Sequence, residues 1–246
     1  MRIALITDVH GNREALAACL EHARRNEVGR YVFLGDYVGY GADPCWVVDT
    51  VRAHVEDGAI AILGNHDAAA LGVDERMNAM AAAAMDWTRV QLTPGHLAFL
   101  DRLPMIAEEG ARLYVHSSAY EPDAWNYVTD LYSASRSLMA TTAQATFCGH
   151  THVPSLFHMS MTGKFASFDP VDRVDIPLTR QRRWLAVIGA VGQPRDRNPA
   201  ACYGVIDDER DVLTYYRVPY DIDGAAAKIR AAGLPAFLAQ RLYQGA

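Results

Sequence analysis

Three short apolar runs rich in Ile, Leu and Val, at residues 2–7, 31–34 and 59–63, each stop at a polar cluster containing Gly or Asp, as buried strands do. Between them, residues 13–25 carry Leu16, Leu20 and Ala23 at helical spacing, and residues 44–55 carry Val47, Val48 and Val51. This strand–helix alternation predicts a largely parallel sheet with helices on its face. From 74 to 103 the apolar positions Met77, Met80, Ala81, Ala84, Met85, Val90 and Leu97 turn helical, and Pro94 divides the stretch into two helices. The segment reads as a helical cap insertion covering part of the first sheet. Strand-like runs follow at 112–116, 144–148, 153–159, 184–191, 202–207 and 211–218, with few helices between them. They predict a second, mixed or antiparallel sheet. Residues 222–243 read as a helical hairpin split at Gly233 and Pro235. Without repeats, low-complexity tracts or a convincing linker, the chain 1–246 is expected to form a single domain.

Composition narrows the partners. Charged residues make up 21% of the chain, the net charge is -6, and both signs are interspersed. Broad nucleic-acid binding is not expected, although a local basic pocket for a phosphate remains compatible. The four cysteines, Cys19, Cys45, Cys148 and Cys202, form no C-x-x-C pair, which removes a zinc ribbon or thioredoxin-type motif. The apolar start of the chain is interrupted by Asp8 and is too short for a signal-peptide core. No apolar run is long enough to span a bilayer. Cytoplasmic residence, without a membrane partner, is the expectation, and the C-terminal hairpin is a candidate surface for homo-oligomers.

Five polar clusters directly follow strand-like runs: Asp8-Val9-His10, Gly35-Asp36, Gly64-Asn65-His66-Asp67, His116, and Gly149-His150-Thr151-His152. Ligands of open α/β sheets bind outside the carboxyl ends of strands, so the five clusters can converge on one edge. Alone, D-x-H or G-D is ordinarily a turn; GNHD and GHTH are sharper, and five of the nine histidines fall in these clusters. Imidazole and carboxylate together suit manganese, iron or zinc. On an extended segment Asp8 and His10 point the same way and can grip one metal, and the same spacing lets His150 and His152 grip one metal or divide between two. The two oxygens of Asp36 can bridge two metals about 3.5–4 Å apart. Glycines 35, 64 and 149 let the loops crowd around the site.

With D-x-H, G-D-x-x-G, G-N-H-D, a single His and G-H-x-H in order from Asp8 to His152, the chain resembles the calcineurin-like metallophosphoesterase superfamily. The segments Gly35-Asp-Tyr-Val-Gly-Tyr-Gly41, Trp125-x-Tyr127 and Val191-Gly-Gln-Pro-Arg-Asp196 are similar to its bacterial phosphodiesterase and phosphatase branch, which includes diadenosine polyphosphate hydrolases. The resemblance implies an α/β fold, a four-layer α/β/β/α sandwich of two mixed sheets flanked by helices. It implies one metal held by Asp8, His10, Asp36 and His152, and a second held by Asp36, Asn65, His116 and His150. The metals would be divalent or trivalent transition ions. His66, left unligated, would face the substrate phosphate and protonate the leaving oxygen or stabilise charge, oriented by Asp67. The expected reaction is in-line attack on a small phosphomonoester or phosphodiester by a water or hydroxide shared between the metals. Nucleotides and diadenosine polyphosphates are among the candidate substrates.

Where the branch often reads Ser-Pro-Arg-Asp-Pro after this histidine, the chain has His116-Ser-Ser-Ala-Tyr-Glu-Pro122. Its usual arginine is replaced, which makes Tyr120 a candidate pocket residue. Arg195 is a candidate phosphate contact, because a guanidinium forks onto phosphate oxygens, and Asn65 is a candidate substrate contact as well as a ligand. Tyr37, Tyr40, Trp125 and Tyr127 either stack on a base or pack the loops. His22, His54, His96 and His158 read as structural or solvent-facing. Two alternatives are a non-catalytic metal-binding scaffold, disfavoured because His66 accompanies the full ligand set, and a protein serine/threonine phosphatase. The latter is disfavoured because Tyr40 follows Gly39 and Asp67 stands where that group has Glu.

Overall fold

A computed structural model describes residues 1–73 and 77–246. The first half alternates as the apolar pattern predicts: β1 (Arg2–Ile6), α1 (Arg13–Arg25), β2 (Val28–Phe33), α2 (Pro44–Glu56), β3 (Ile60–Ala61) and α3 (Asn65–Ala70). Asn12 caps α1 by accepting the Ala15 amide at 3.1 Å, and Pro44 opens α2 where no amide donor is needed. Next come α4 (Ala79–Gln91) and α5 (Pro94–Leu100), divided at Pro94 as expected. Residues 74–76 of the expected insertion lie outside the described residues.

The second half contains β4 (Ile106–Glu109), β5 (Arg112–Val115), α6 (Leu131–Met139), β6 (Ala145–Cys148), β7 (Ser155–Ser160), β8 (Phe165–Phe168), β9 (Asp175–Pro177) and β10 (Arg182–Val187). After it come β11 (Ala201–Asp207), β12 (Val212–Val218), α7 (Ile222–Ala231) and α8 (Ala236–Gln244). One sheet has the order β3-β2-β1-β11-β12-β9 and the other β4-β5-β6-β10-β7-β8. Both are mixed: β1, β2 and β3 run parallel, but β11 pairs antiparallel to β1. β5, β6 and β10 run parallel and β7 antiparallel to β10.

Two expectations are corrected by this topology. The first sheet is not largely parallel, and the runs at 202–207 and 211–218 complete it instead of joining the second. An apolar run is equally suited to either sheet, so its partner is decided by the packing of the whole chain. α3, α6, β4, β8 and β9 were not expected. The last three are short edge strands that leave much of their surface exposed, and their sequences lack a strong apolar alternation.

Period-two alternation sorts the layers. Ile3 and Leu5 of β1 face inward with Tyr114, Phe147, Trp184, Ala186 and Leu213 from both sheets. Ala4 and Ile6 face outward onto Leu16, Cys19, Val47 and Val51 of α1 and α2. On the far side, Val115, Cys148, Leu185 and Val187 pack on Ala134 and Leu138 of α6. The result is the expected α/β/β/α sandwich. The C-terminal hairpin turns at Gly233 and Pro235 and joins Ala81 and Ala84 of α4 in a cluster around Tyr40. No helix among the described residues is long and apolar enough to cross a membrane.

At the junction of the sheets, a Cβ on Gly149 would overlap the Thr7 hydroxyl and the Asp8 carboxylate. Gly149→Ala is therefore expected to lower unfolding stability by about 2 kcal/mol or more, read from urea denaturation. An unchanged midpoint would show that the junction yields freely.

Candidate metal centre

The clusters that follow β1, β2, β5 and β6, with the start of α3, meet where the parallel strands of both sheets end. The loop after β1 is laddered to the loop after β2 by Asp8 N–Gly35 O (3.1 Å), His10 N–Asp36 O (2.9 Å) and Gly11 N–Tyr37 O (2.8 Å). The Asp8 carboxylate then crosses between the sheets, accepting the His150 amide at 2.9 Å and the Thr7 hydroxyl at 2.8 Å.

The D-x-H segment is not extended, as its spacing suggested. Asp8, His10, Asp36, His150 and His152 all have φ between 48° and 67°, a left-handed backbone that costs roughly 1 kcal/mol or more per non-glycine residue. Among the preceding glycines only Gly35 is left-handed. Gly64 and Gly149 serve close approach, since a Cβ on Gly64 would overlap the Asp36 amide and Oδ1.

Two groups of buried ligand atoms result, Asp8, His10, Asp36 and His152 in one and Asp36, His116 and His150 in the other, with the atoms of each group within 4.8 Å of one another. Backbone carbonyls set the imidazole tautomers. The Nδ1 atoms of His10, His152 and His116 face the carbonyls of Val38 (3.0 Å), Gln193 (2.6 Å) and Leu34 (2.7 Å). A carbonyl only accepts, so these nitrogens donate and each Nε2 of a neutral ring carries a bare lone pair. His150 is reversed: its Nε2 faces the Trp125 carbonyl at 2.9 Å, which leaves Nδ1 as its free ligand atom.

The lone pairs point at one another. His10 Nε2 lies 3.1 Å from His152 Nε2, and His152 Nε2 lies 3.2 Å from Asp8 Oδ1, a buried oxygen with no hydrogen-bond partner. Asp36 Oδ1 accepts the His66 amide at 2.8 Å. Its Oδ2 is 3.6 Å from His10 Nε2 and 3.4 Å from His116 Nε2, so a single oxygen, not two, faces both groups. Asn65 Oδ1 joins the second group at 3.2 Å from His116 Nε2. Without a cation the facing Nε2 atoms of His10 and His152 are repulsive and Asp8 Oδ1 is unsatisfied; a cation bound there would answer both, and the donor set fits transition ions.

Burial drives the imidazoles toward the neutral form that binds metal, lowering His10 and His152 and bringing His150 down to about 3. Burial would lower His116 too, but the Asp36 carboxylate beside it raises it to about 9. The Asp36 carboxyl, despite burial, is held well below the ordinary range by His116 and His66.

His66 lies outside both ligand groups. Its ring packs 4.6 Å from Tyr40 and 4.8 Å from His10, its Nδ1 has no hydrogen-bond partner among the described residues, and burial brings it down to about 4. Asp67 does not orient it. The Asp67 carboxylate instead accepts the amides of Asp36 (2.8 Å), Tyr37 (2.9 Å), Val38 (3.3 Å) and Gly64 (3.0 Å). It therefore fixes the loop that carries Asp36.

Among the expected substrate contacts, Tyr37 is corrected: it is fully buried, and its single O–H donates to the Ile62 carbonyl at 2.7 Å with the Phe33 carbonyl 3.1 Å away, so it is core. Arg195 donates to Gln193 Oε1 at 3.2 Å and lies 5.8 Å from the Tyr40 ring; it forms no ion pair among the described residues. The Tyr120 hydroxyl donates to Glu121. Tyr127 stacks on His150 at 4.2 Å. The Trp125 carbonyl and the guanidinium of Arg136, set over Tyr120, were not anticipated, the first because a backbone atom has no sequence signature. His22, His96 and His158 bond or pack at Tyr203, Asp49 and Trp184, outside the site.

A family model for calcineurin-like phosphoesterases matches residues 1–187. An uncharacterized protein of Methanocaldococcus jannaschii is 33% identical over 254 residues, covering 99% of this chain and 98% of its own. The crystal structure of a metallophosphoesterase from Sphaerobacter thermophilus is similar with a TM-score of 0.89 and 36% identity, covering 100% and 99% of the two chains. A hypothetical protein of Pyrococcus horikoshii shares the fold, with a TM-score of 0.81, 17% identity and coverage of 100% and 98%. With its motifs inside the matched region and its two sheets in the same arrangement, the chain belongs to the calcineurin-like phosphoesterase family.

Proposed function

We propose that the protein hydrolyses a small phosphate ester, a phosphomonoester or phosphodiester, at a centre of two transition-metal ions, manganese, iron or zinc. The observation that carries this reading is the facing pair of bare imidazole nitrogens, His10 and His152, beside the unpartnered Asp8 Oδ1. Asp8, His10, Asp36 and His152 would hold one ion, and Asp36, Asn65, His116 and His150 the other. Bound there, the ions supply an acidified water as nucleophile and positive charge for the phosphoryl oxygens.

The chain's own residues do the rest. Backbone carbonyls of Val38, Leu34, Gln193 and Trp125 orient the four imidazoles. His66 lies against His10 of the first ligand group and has no carboxylate partner among the described residues, so its imidazole is available to the scissile phosphate and the leaving oxygen. Arg195, which forms no ion pair among the described residues, is available to a non-bridging phosphate oxygen, where a guanidinium makes two charge-assisted hydrogen bonds.

The reading is tested with a nitrophenyl phosphomonoester, a nitrophenyl phosphodiester, a cyclic nucleotide and a diadenosine polyphosphate in the presence of manganese, with and without a chelator. Chelator-sensitive hydrolysis of at least one ester is expected; inactivity toward all four with both ions bound would sink the proposal. Asp36→Asn should lose bound metal and activity together. His66→Ala should keep its metal, by elemental analysis, while turnover drops about 100-fold or more; full activity in that variant removes the catalytic role. Asp67→Ala strands four buried amides and should lower stability by about 2 kcal/mol or more along with metal content. A loss of turnover with stability and metal content intact would instead mean that Asp67 acts through His66.

A further inference from the structure

Beside the second ligand group lies an open pocket that the proposed chemistry does not use, lined by Ser118, Tyr120, Asn126, Tyr127, Tyr132 and Arg136. Tyr127 connects the two. Its ring lies on the His150 ring with centroids 4.2 Å apart and planes at 16°, yet it remains 53% exposed. Arg136 reaches from α6 and lays its guanidinium over Tyr120, with Cζ 3.8 Å from the ring centroid, and 5.9 Å from that of Tyr132.

The guanidinium makes no side-chain hydrogen bond and no ion pair among the described residues. A carboxylate is close by in the sequence, but Glu121 takes the Tyr120 hydroxyl at 2.8 Å instead. Held over a tyrosine ring, Arg136 keeps its fork of N–H donors unspent among the described residues and partly immobilised, which favours an anion with several acceptor oxygens. The exposed Tyr127 ring beside it offers a stacking surface for a planar group. The loop that carries Tyr127 is anchored to the centre through the Trp125 carbonyl on His150, so pocket and ligand group are fixed relative to each other.

We infer that this pocket receives the part of the substrate beyond the scissile phosphate, and that the substrate class is a nucleotide with more than one phosphate. The base stacks on Tyr127 and a second phosphate meets Arg136. The inference rests on the phosphoesterase reading and makes it more specific.

Calorimetric titration of the manganese-loaded protein with adenosine α,β-methylene diphosphate, and separately with inorganic phosphate, tests it. Arg136→Gln and Tyr127→Ala are each expected to weaken the nucleotide about tenfold, Tyr127→Phe to retain wild-type affinity, and inorganic phosphate to bind all four proteins alike. Nucleotide affinity untouched in Arg136→Gln and Tyr127→Ala, an equal loss for inorganic phosphate, or a wild-type protein that binds the nucleotide no better than phosphate would each overturn the inference. Hydrolysis assays separate the two readings. An active enzyme whose nucleotide affinity ignores both variants loses only the pocket, whereas an inactive protein whose nucleotide binding depends on them loses only the esterase reading.

Discussion

Two carboxylates buried where the sheets meet are the constraint on which the site and its surroundings depend. An isolated anion in such a place costs several kcal/mol or more, and the fold meets this by surrounding each with donors that cannot leave. Asp8 takes the amide of His150 from the other sheet and the hydroxyl of its neighbour Thr7. Asp36 takes the amide of His66 at the start of α3. In each case one oxygen is satisfied by the backbone and the other is left facing imidazole nitrogens. The same contacts that join the sheets thus produce the concentrated lone pairs to which a cation is drawn.

Holding these groups in place demands an unfavourable backbone. Five side chains of the centre sit on left-handed residues, a conformation tolerated only where surrounding contacts determine it more strongly than local preference does. Asp67 is the main such contact on one side, with its carboxylate accepting three amides of the Asp36 loop and that of Gly64. Behind His66 and His10 stands Tyr40, packed by α4 and by the helices at the C-terminal end. Chain far from the motifs therefore sets the backing against which His66 rests. Arg195 flanks the centre on the His66 and Tyr40 side, and Tyr127 with Arg136 flanks it beside His150.

Much of the centre was legible because its clues are local. A polar cluster ending an apolar run marks a strand terminus, and imidazole and carboxylate side chains in D-x-H and H-x-H spacing mark metal affinity whatever their backbone conformation. Asp8, His10, Asp36, His116, His150 and His152 could be collected on one edge by that reasoning, whereas Asn65 entered the ligand set only through the family resemblance. The extended geometry assumed for Asp8 and His10 was wrong, yet the two residues still meet.

The sequence by itself determined the alternation of strands and helices in the first half, the helical segments on either side of Pro94 and in the C-terminal hairpin, and the histidine and aspartate members of the candidate ligand set, because periodicity and side-chain chemistry are properties of neighbouring residues. Tertiary structure decided the rest. It alone assigned β11 and β12 to the first sheet, since apolar strands carry no label for their partner. It buried Tyr37 as core, turned Asp67 from a partner of His66 into a clamp on backbone amides, and brought Arg136 from a helix to the mouth of the site. Each of these depends on contacts between residues far apart in the chain, or on backbone N–H and C=O groups that every residue shares, and neither leaves a trace in local sequence.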